Sequence, residues 1–194
     1  MIISSDCTAS IIYKRIIGKE YTNPFMSTIV SASDFNYVIE NLNSIDFLNY
    51  ELFSLETKNF NDAEPTYGIY VDGQVKILFP HHNDSEIITE MYSTRAKRMV
   101  EKLEENPDIV FIMAERDFPK EFECDYNKKD LEYFCTLDTP HKRILITKDR
   151  FFKKFENDKL KIHVKNNEEY LCMGTIRYTK NVFFDEYKDC ILDN

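Results

Sequence analysis

YGIYVDGQVKILFPHH, residues 67–82, is the stretch whose reading decides the fold. Two β-rich runs, 67–71 and 74–79, flank Asp72-Gly73, a pair suited to the two positive-φ positions of a tight hairpin turn. The second run leads into His81 and His82, and Asp84 or Ser85 then caps a long helix ending near Leu103, before Asn106-Pro107.

Upstream, residues 1–4 predict a strand and 7–17 a helix stopped by Gly18. A second strand is expected over 25–30, and a helix capped by Ser33 and running to Leu42, with Phe35, Val38, Ile39 and Leu42 on one face. Residues 51–55 predict a further strand. Downstream, 109–114 is a continuous apolar run of the buried-strand kind. Residues 128–136 predict a helix, 143–147 and 160–165 strands, and 184–192 a last helix. Strands and helices alternate around one antiparallel hairpin. The expected fold is α/β: a single domain over residues 1–194, with a mixed sheet that includes the hairpin and helices packed on it.

Composition narrows the function classes. The 194 residues are 43% hydrophobic and 14% aromatic, a globular composition. With 34 acidic against 25 basic residues, the net charge of −9 disfavours nucleic acid as a partner, and no basic patch offsets it. No apolar run approaches ~18 residues, so no membrane insertion is expected. Five scattered cysteines without a C-x-x-C pair, and an N-terminus unlike a signal peptide, point to a cytoplasmic, reducing setting with neither a disulfide framework nor a zinc cluster. Gly-rich phosphate loops and metal-binding spacings are lacking, so no cofactor and no metal are expected. Oligomeric state stays open.

Chemistry concentrates at three places. Cys7 sits where a strand turns into a helix, a position that can activate a thiol, although Asp6 beside it raises the thiol pKa. The amides of Thr8 and Ala9 offer an anion-binding nest. Packing is the ordinary alternative for such a cysteine. His81 and His82 are adjacent on extended chain, so their rings point to opposite faces and at most one faces Cys7. The other is expected to face solvent or Asp84. A cysteine with a histidine base is the minimum for covalent catalysis.

The long helix carries the third signal. At ~100° per residue, Glu86, Glu90, Lys97, Glu101 and Glu104 form a polar face. Ile88, Met91, Tyr92, Met99 and Leu103 form the apolar one. Arg95 falls inside that apolar stripe, with Arg98 at its edge. A guanidinium so placed needs an anionic partner, either an internal carboxylate such as Asp117 or Asp34, or a bound carboxylate or phosphate. Arg116 and Asp117, in the Glu115–Asp117 run after the buried strand, sit where α/β sheets gather ligand-binding groups. Both join the candidate anion- and ligand-binding set.

In order along the chain, IISSDC at 2–7, EYTNPF at 20–25 and SASDFNYVIENL ending at Leu42 resemble segments of a bacterial family of exopolysaccharide-biosynthesis proteins carrying a domain of unknown function. The hairpin with its histidine-bearing strand, the Arg95–Arg98 pair, the Arg116–Asp117 pair and Phe184–Lys188 complete the likeness. Where that family has Cys-Trp-Gly-Gly, this chain has Cys7-Thr8-Ala9-Ser10, and Asp6 replaces its second asparagine. A more limited likeness is to a family described as papain-like cysteine peptidases. The resemblance implies an enzyme of surface polysaccharide (exopolysaccharide or capsule) biosynthesis, a transferase modifying or extending a saccharide, acting on a saccharide or an activated-donor small molecule. The alternatives are a Cys–His hydrolase or acyltransferase, and a non-catalytic binding module. Both resemblances pick out Cys7, His81 or His82, and Arg95 or Arg98.

Overall fold

The computed structural model describes residues 1–9, 22–59, 61, 65–118 and 120–164. In chain order these form β1 (Ile2–Ser4), α1 (Ala32–Asn41), β2 (Tyr50–Leu55), β3 (Thr66–Val71), β4 (Val75–Leu78), α2 (Ser85–Glu104), β5 (Val110–Ala114), α3 (Lys128–Thr136), β6 (Lys142–Thr147) and β7 (Leu160–Val164), with 3₁₀ turns at Lys120–Phe122 and Arg150–Phe155. The helices expected over 7–17 and 184–192 lie outside the described residues, apart from helical backbone at Thr8 and Ala9.

The α/β class holds, and the strands separate into two sheets. One is parallel, in the order β1-β5-β6-β7, and the other is the antiparallel meander β2-β3-β4. A single mixed sheet does not form because of what lies between β1 and β4. The strand expected over 25–30 is instead a turn followed by one isolated bridge, Ile29 to Leu78. Asn23 turns the chain there: its side chain accepts from the Phe25 amide (3.0 Å) and donates to the Ile2 carbonyl (2.8 Å), and Ser27 takes φ 62°. A left-handed residue cannot continue a strand. Ile29 and Val30 then stitch the two sheets: Ile29 exchanges backbone hydrogen bonds with Leu78 (2.9 Å each), and the Val30 amide donates to the Ser5 carbonyl (2.9 Å).

The hairpin forms as its turn chemistry requires. Asp72 (φ 52°) and Gly73 (φ 63°) occupy the two left-handed positions between β3 and β4. Ser31, not Ser33, caps α1 by accepting from the Asp34 amide, and Ser33 bonds to the Ser31 hydroxyl instead. Asp84 caps α2 through the amides of Glu86 and Ile87.

Phe25, Phe35, Phe47 and Phe111 meet edge to face in the core, with ring centroids 6.1–6.4 Å apart. Phe35 and Val38 of α1 and Ile88, Tyr92, Ala96 and Met99 of α2 are fully buried beside them. Burial of this apolar surface is the main stabilising term. Among the described residues, no helix is long and apolar enough to cross a membrane.

The parallel register sets the site. Ser4 pairs with Ile112 and Ala114 with Ile146, so β1, β5 and β6 all end at one edge. Residues 5–7, 115–117 and 148–149 leave the sheet there.

Candidate active site

β1 ends in three buried polar residues, Ser4, Ser5 and Asp6. The Ser5 amide donates to the Ile112 carbonyl, and its hydroxyl accepts from the Ala114 amide (3.3 Å). These bonds hold the strand end beside β5, whose own continuation carries Arg116. Asp6, 1% exposed, forms an ion pair with the Arg116 Nε and accepts from the Ser4 hydroxyl (3.0 Å) and the Thr8 amide (2.9 Å). Burial alone would push its carboxyl up. The Arg116 charge, with the hydrogen bonds from Thr8 and Arg116, outweighs that and holds it below the usual carboxylate range.

Cys7 follows, half-buried. Its sulfur lies 3.5 Å from Nε2 of His81, across 74 residues of chain. The separation is within reach of a sulfur–imidazole hydrogen bond, the geometry needed for proton exchange. Burial first, and the Asp6 charge second, push the thiol up to about 12, with Arg116 opposing. The imidazole of His81 is lowered by burial and then by His82. At neutral pH both effects favour an uncharged pair, thiol and free imidazole, over thiolate and imidazolium.

His81 is positioned from β4, two residues beyond the backbone bond from the Phe79 amide to the Tyr67 carbonyl (2.9 Å). Asn61 donates to the His81 carbonyl (3.0 Å) and Asn59 to that of His82 (3.4 Å), while the Asn59 side chain accepts from the Asn61 amide (2.8 Å). Sequence reasoning misses these two asparagines. The available signal is their spacing, Asn59-Phe60-Asn61, in the loop after β2.

The two histidines do not continue β4 as extended chain: the His82 amide donates to the Phe79 carbonyl (3.3 Å), closing a turn that holds His81. His81 meets the cysteine. His82 is half-buried, and its imidazole is lowered by burial first and then by the Arg95 charge, while one oxygen of Asp84 caps α2.

The other candidate residues separate. Arg95 is half-buried, and its partner is neither Asp117 nor Asp34: its Nη1 donates to the Met26 carbonyl (2.6 Å). Arg98, exposed one turn on, donates to the Thr22 hydroxyl (3.0 Å). Arg116 faces its internal anion, Asp6, and Asp117 pairs with Lys148 (2.5 Å) at the surface. The nest expected at Thr8 and Ala9 is altered, because Asp6 already takes the Thr8 amide. Among the described residues, no group of three or more His, Cys, Asp or Glu side chains is arranged to hold a metal ion.

No protein-family model matches this chain, and no curated protein matches it significantly.

Proposed function

We propose that Cys7 and His81 form a nucleophile–base pair for covalent acyl chemistry, hydrolysis or transfer. The observation that carries the reading is the 3.5 Å approach of the Cys7 sulfur to His81 Nε2. In the first half-reaction the sulfur bonds to an acyl carbonyl carbon as Nε2 takes the thiol proton. The leaving group then departs with that proton, and a thioester remains on Cys7. In the second half, Nε2 removes a proton from water or an acceptor hydroxyl, which displaces the sulfur as the thiol. A half-buried thiol beside a carboxylate is a poor resting thiolate. Proton transfer to His81 therefore accompanies attack, as in a serine–histidine pair. The Asp6–Arg116 pair positions the cysteine from behind. The likeness to exopolysaccharide-biosynthesis proteins supplies the acceptor for the transfer branch, a sugar hydroxyl.

The test is acylation with p-nitrophenyl acetate, located by peptide mass spectrometry. The expected result is one acetyl group on Cys7, absent in Cys7→Ser and formed at least about tenfold more slowly in His81→Gln, in line with the contribution of a general base. Acetylation of Cys7 no faster than that of glutathione at the same pH refutes the reading.

A further inference from the structure

Arg95 and Arg98 hold the segment 22–27 against α2, each through a single donor, to the Met26 carbonyl and the Thr22 hydroxyl. A guanidinium has five N–H groups, so most of each fork is uncommitted to these bonds. No carboxylate among the described residues pairs with either one. The acidic residues of α2, Glu86, Glu90, Glu101 and Glu104, are exposed and lie well round the helix from Arg95; Glu101, one turn after Arg98, forms no ion pair with it. In a protein of net charge −9, the described residues leave a half-buried cation uncompensated and set a second cation three residues away on the same helix face. Charges removed from water are ordinarily paired, and an unpaired one is costly.

The location gives that cost a use. Segment 22–27 is tied to β1 by Asn23, and its continuation bridges to Leu78 of β4, three residues before His81. Arg95 acts electrostatically on His82, the immediate neighbour of the residue that meets Cys7. The segment the two guanidinium groups hold is thus linked both to β1, whose end leads to Cys7, and to β4, whose end leads to His81.

We propose that Arg95 and Arg98 form an oxyanion-binding subsite beside the Cys7–His81 pair, so that the substrate processed there carries a carboxylate or phosphate group. The identity of the reacting centre rests on the proposed dyad; the subsite itself rests on the two arginines. A planar fork accepts either anion, through paired N–H···O bonds. Lining up the anion on α2 would present the remainder of the molecule to the sulfur.

The experiment compares alkylation of Cys7 by iodoacetate, which carries a carboxylate, with alkylation by neutral iodoacetamide. In both, the sulfur bonds to the methylene carbon, iodide leaves and the thiol proton passes to His81. Rates are resolved by peptide mass spectrometry on the full chain, with Cys7→Ser as the control. A neighbouring cationic pair should raise the iodoacetate-to-iodoacetamide ratio about three- to tenfold over that of glutathione, as expected for charges several ångströms apart near a surface. Arg98→Gln, an exposed position, should return much of that excess, and Arg95→Gln more. If Arg95→Gln does not fold, Arg98→Gln decides.

A second readout does not depend on the thiol: the thermal midpoint with inorganic phosphate or acetate against chloride at equal ionic strength. A rise in the wild type that Arg98→Gln loses marks the subsite and tells phosphate from carboxylate. If Cys7 reacts with neither reagent, the dyad fails and this thermal readout alone decides the subsite. A reactive Cys7 with the ratio of glutathione overturns the subsite's placement. No rise with either anion at an inert Cys7 overturns it altogether.

Discussion

Replacing Arg116 by Met tests whether the buried ion pair beneath Cys7 stabilises the fold and sets its acid response. Asp6 is 1% exposed and the Arg116 side chain 15%, so the variant leaves a carboxylate with no ionic partner and little access to water. Breaking such a pair from one side costs about 3–5 kcal/mol. Asp6 keeps the Ser4 hydroxyl and the Thr8 amide, which places the expected loss at the lower end, about 3 kcal/mol. The corresponding fall in thermal midpoint is about 6–12 °C.

The pH dependence carries a sign. In the wild type the folded Asp6 lies below its unfolded value, so its contribution is complete above about pH 4 and is lost as pH falls through the lower folded value. Without Arg116, burial, the largest influence on this carboxyl, dominates and pushes the folded value above the unfolded one. The folded variant then binds a proton first, and its deficit relative to wild type shrinks as pH falls from 7 toward 4.5. Urea unfolding of both proteins at the two pH values measures this. Asp6→Asn with Arg116→Met completes a double-mutant cycle, and the double variant should lose less than the sum of the singles. A loss below about 1 kcal/mol at pH 7, or one that stays constant on acidification, would show that the pair is not the buried, coupled unit described.

Two further outcomes follow from named geometry. Gly68→Ala in β3 should cost about 1–3 kcal/mol, because a Cβ there runs into the Phe53 ring and comes within 2.8 Å of Leu78 Cδ2. Adding Phe53→Leu should recover part of it, and unchanged stability in Gly68→Ala would contradict the packing of β2 on β3. For acyl transfer, the acid limb of kcat/KM should bend below the ordinary histidine value of about 6.5, because His81 must be neutral to act as base and burial with His82 lowers it. An inflection above pH 7 in the p-nitrophenyl acetate profile would remove His81 from that role.

Elements encoded in contiguous residues are legible in the amino-acid sequence alone. Asp72-Gly73 specifies a turn that only two left-handed residues can make, Asp84 caps the helix it precedes, and residues 128–136 are helical as their pattern requires. The buried strand at Val110–Ala114 follows from an unbroken apolar run. Helix geometry by itself marks Arg95, because an arginine at apolar spacing is visible on a helical wheel. Boundaries are less secure where two capping serines stand close together, and Ser31 prevails over Ser33.

What the sequence does not decide depends on where distant strand ends come to rest. Cys7 meets His81 and not His82 because β4 leaves its meander with that ring turned toward the end of β1. Arg116 serves Asp6 because the parallel register brings the ends of β1 and β5 to one edge. The two sheets stay apart because Asn23 and a left-handed Ser27 turn an apolar, β-branched segment away from strand geometry. Local sequence determines turns, caps and amphipathic faces, since these depend on neighbours a few residues away. Which charge finds which partner, and which imidazole reaches the sulfur, depends on long-range register, and only the assembled fold supplies that.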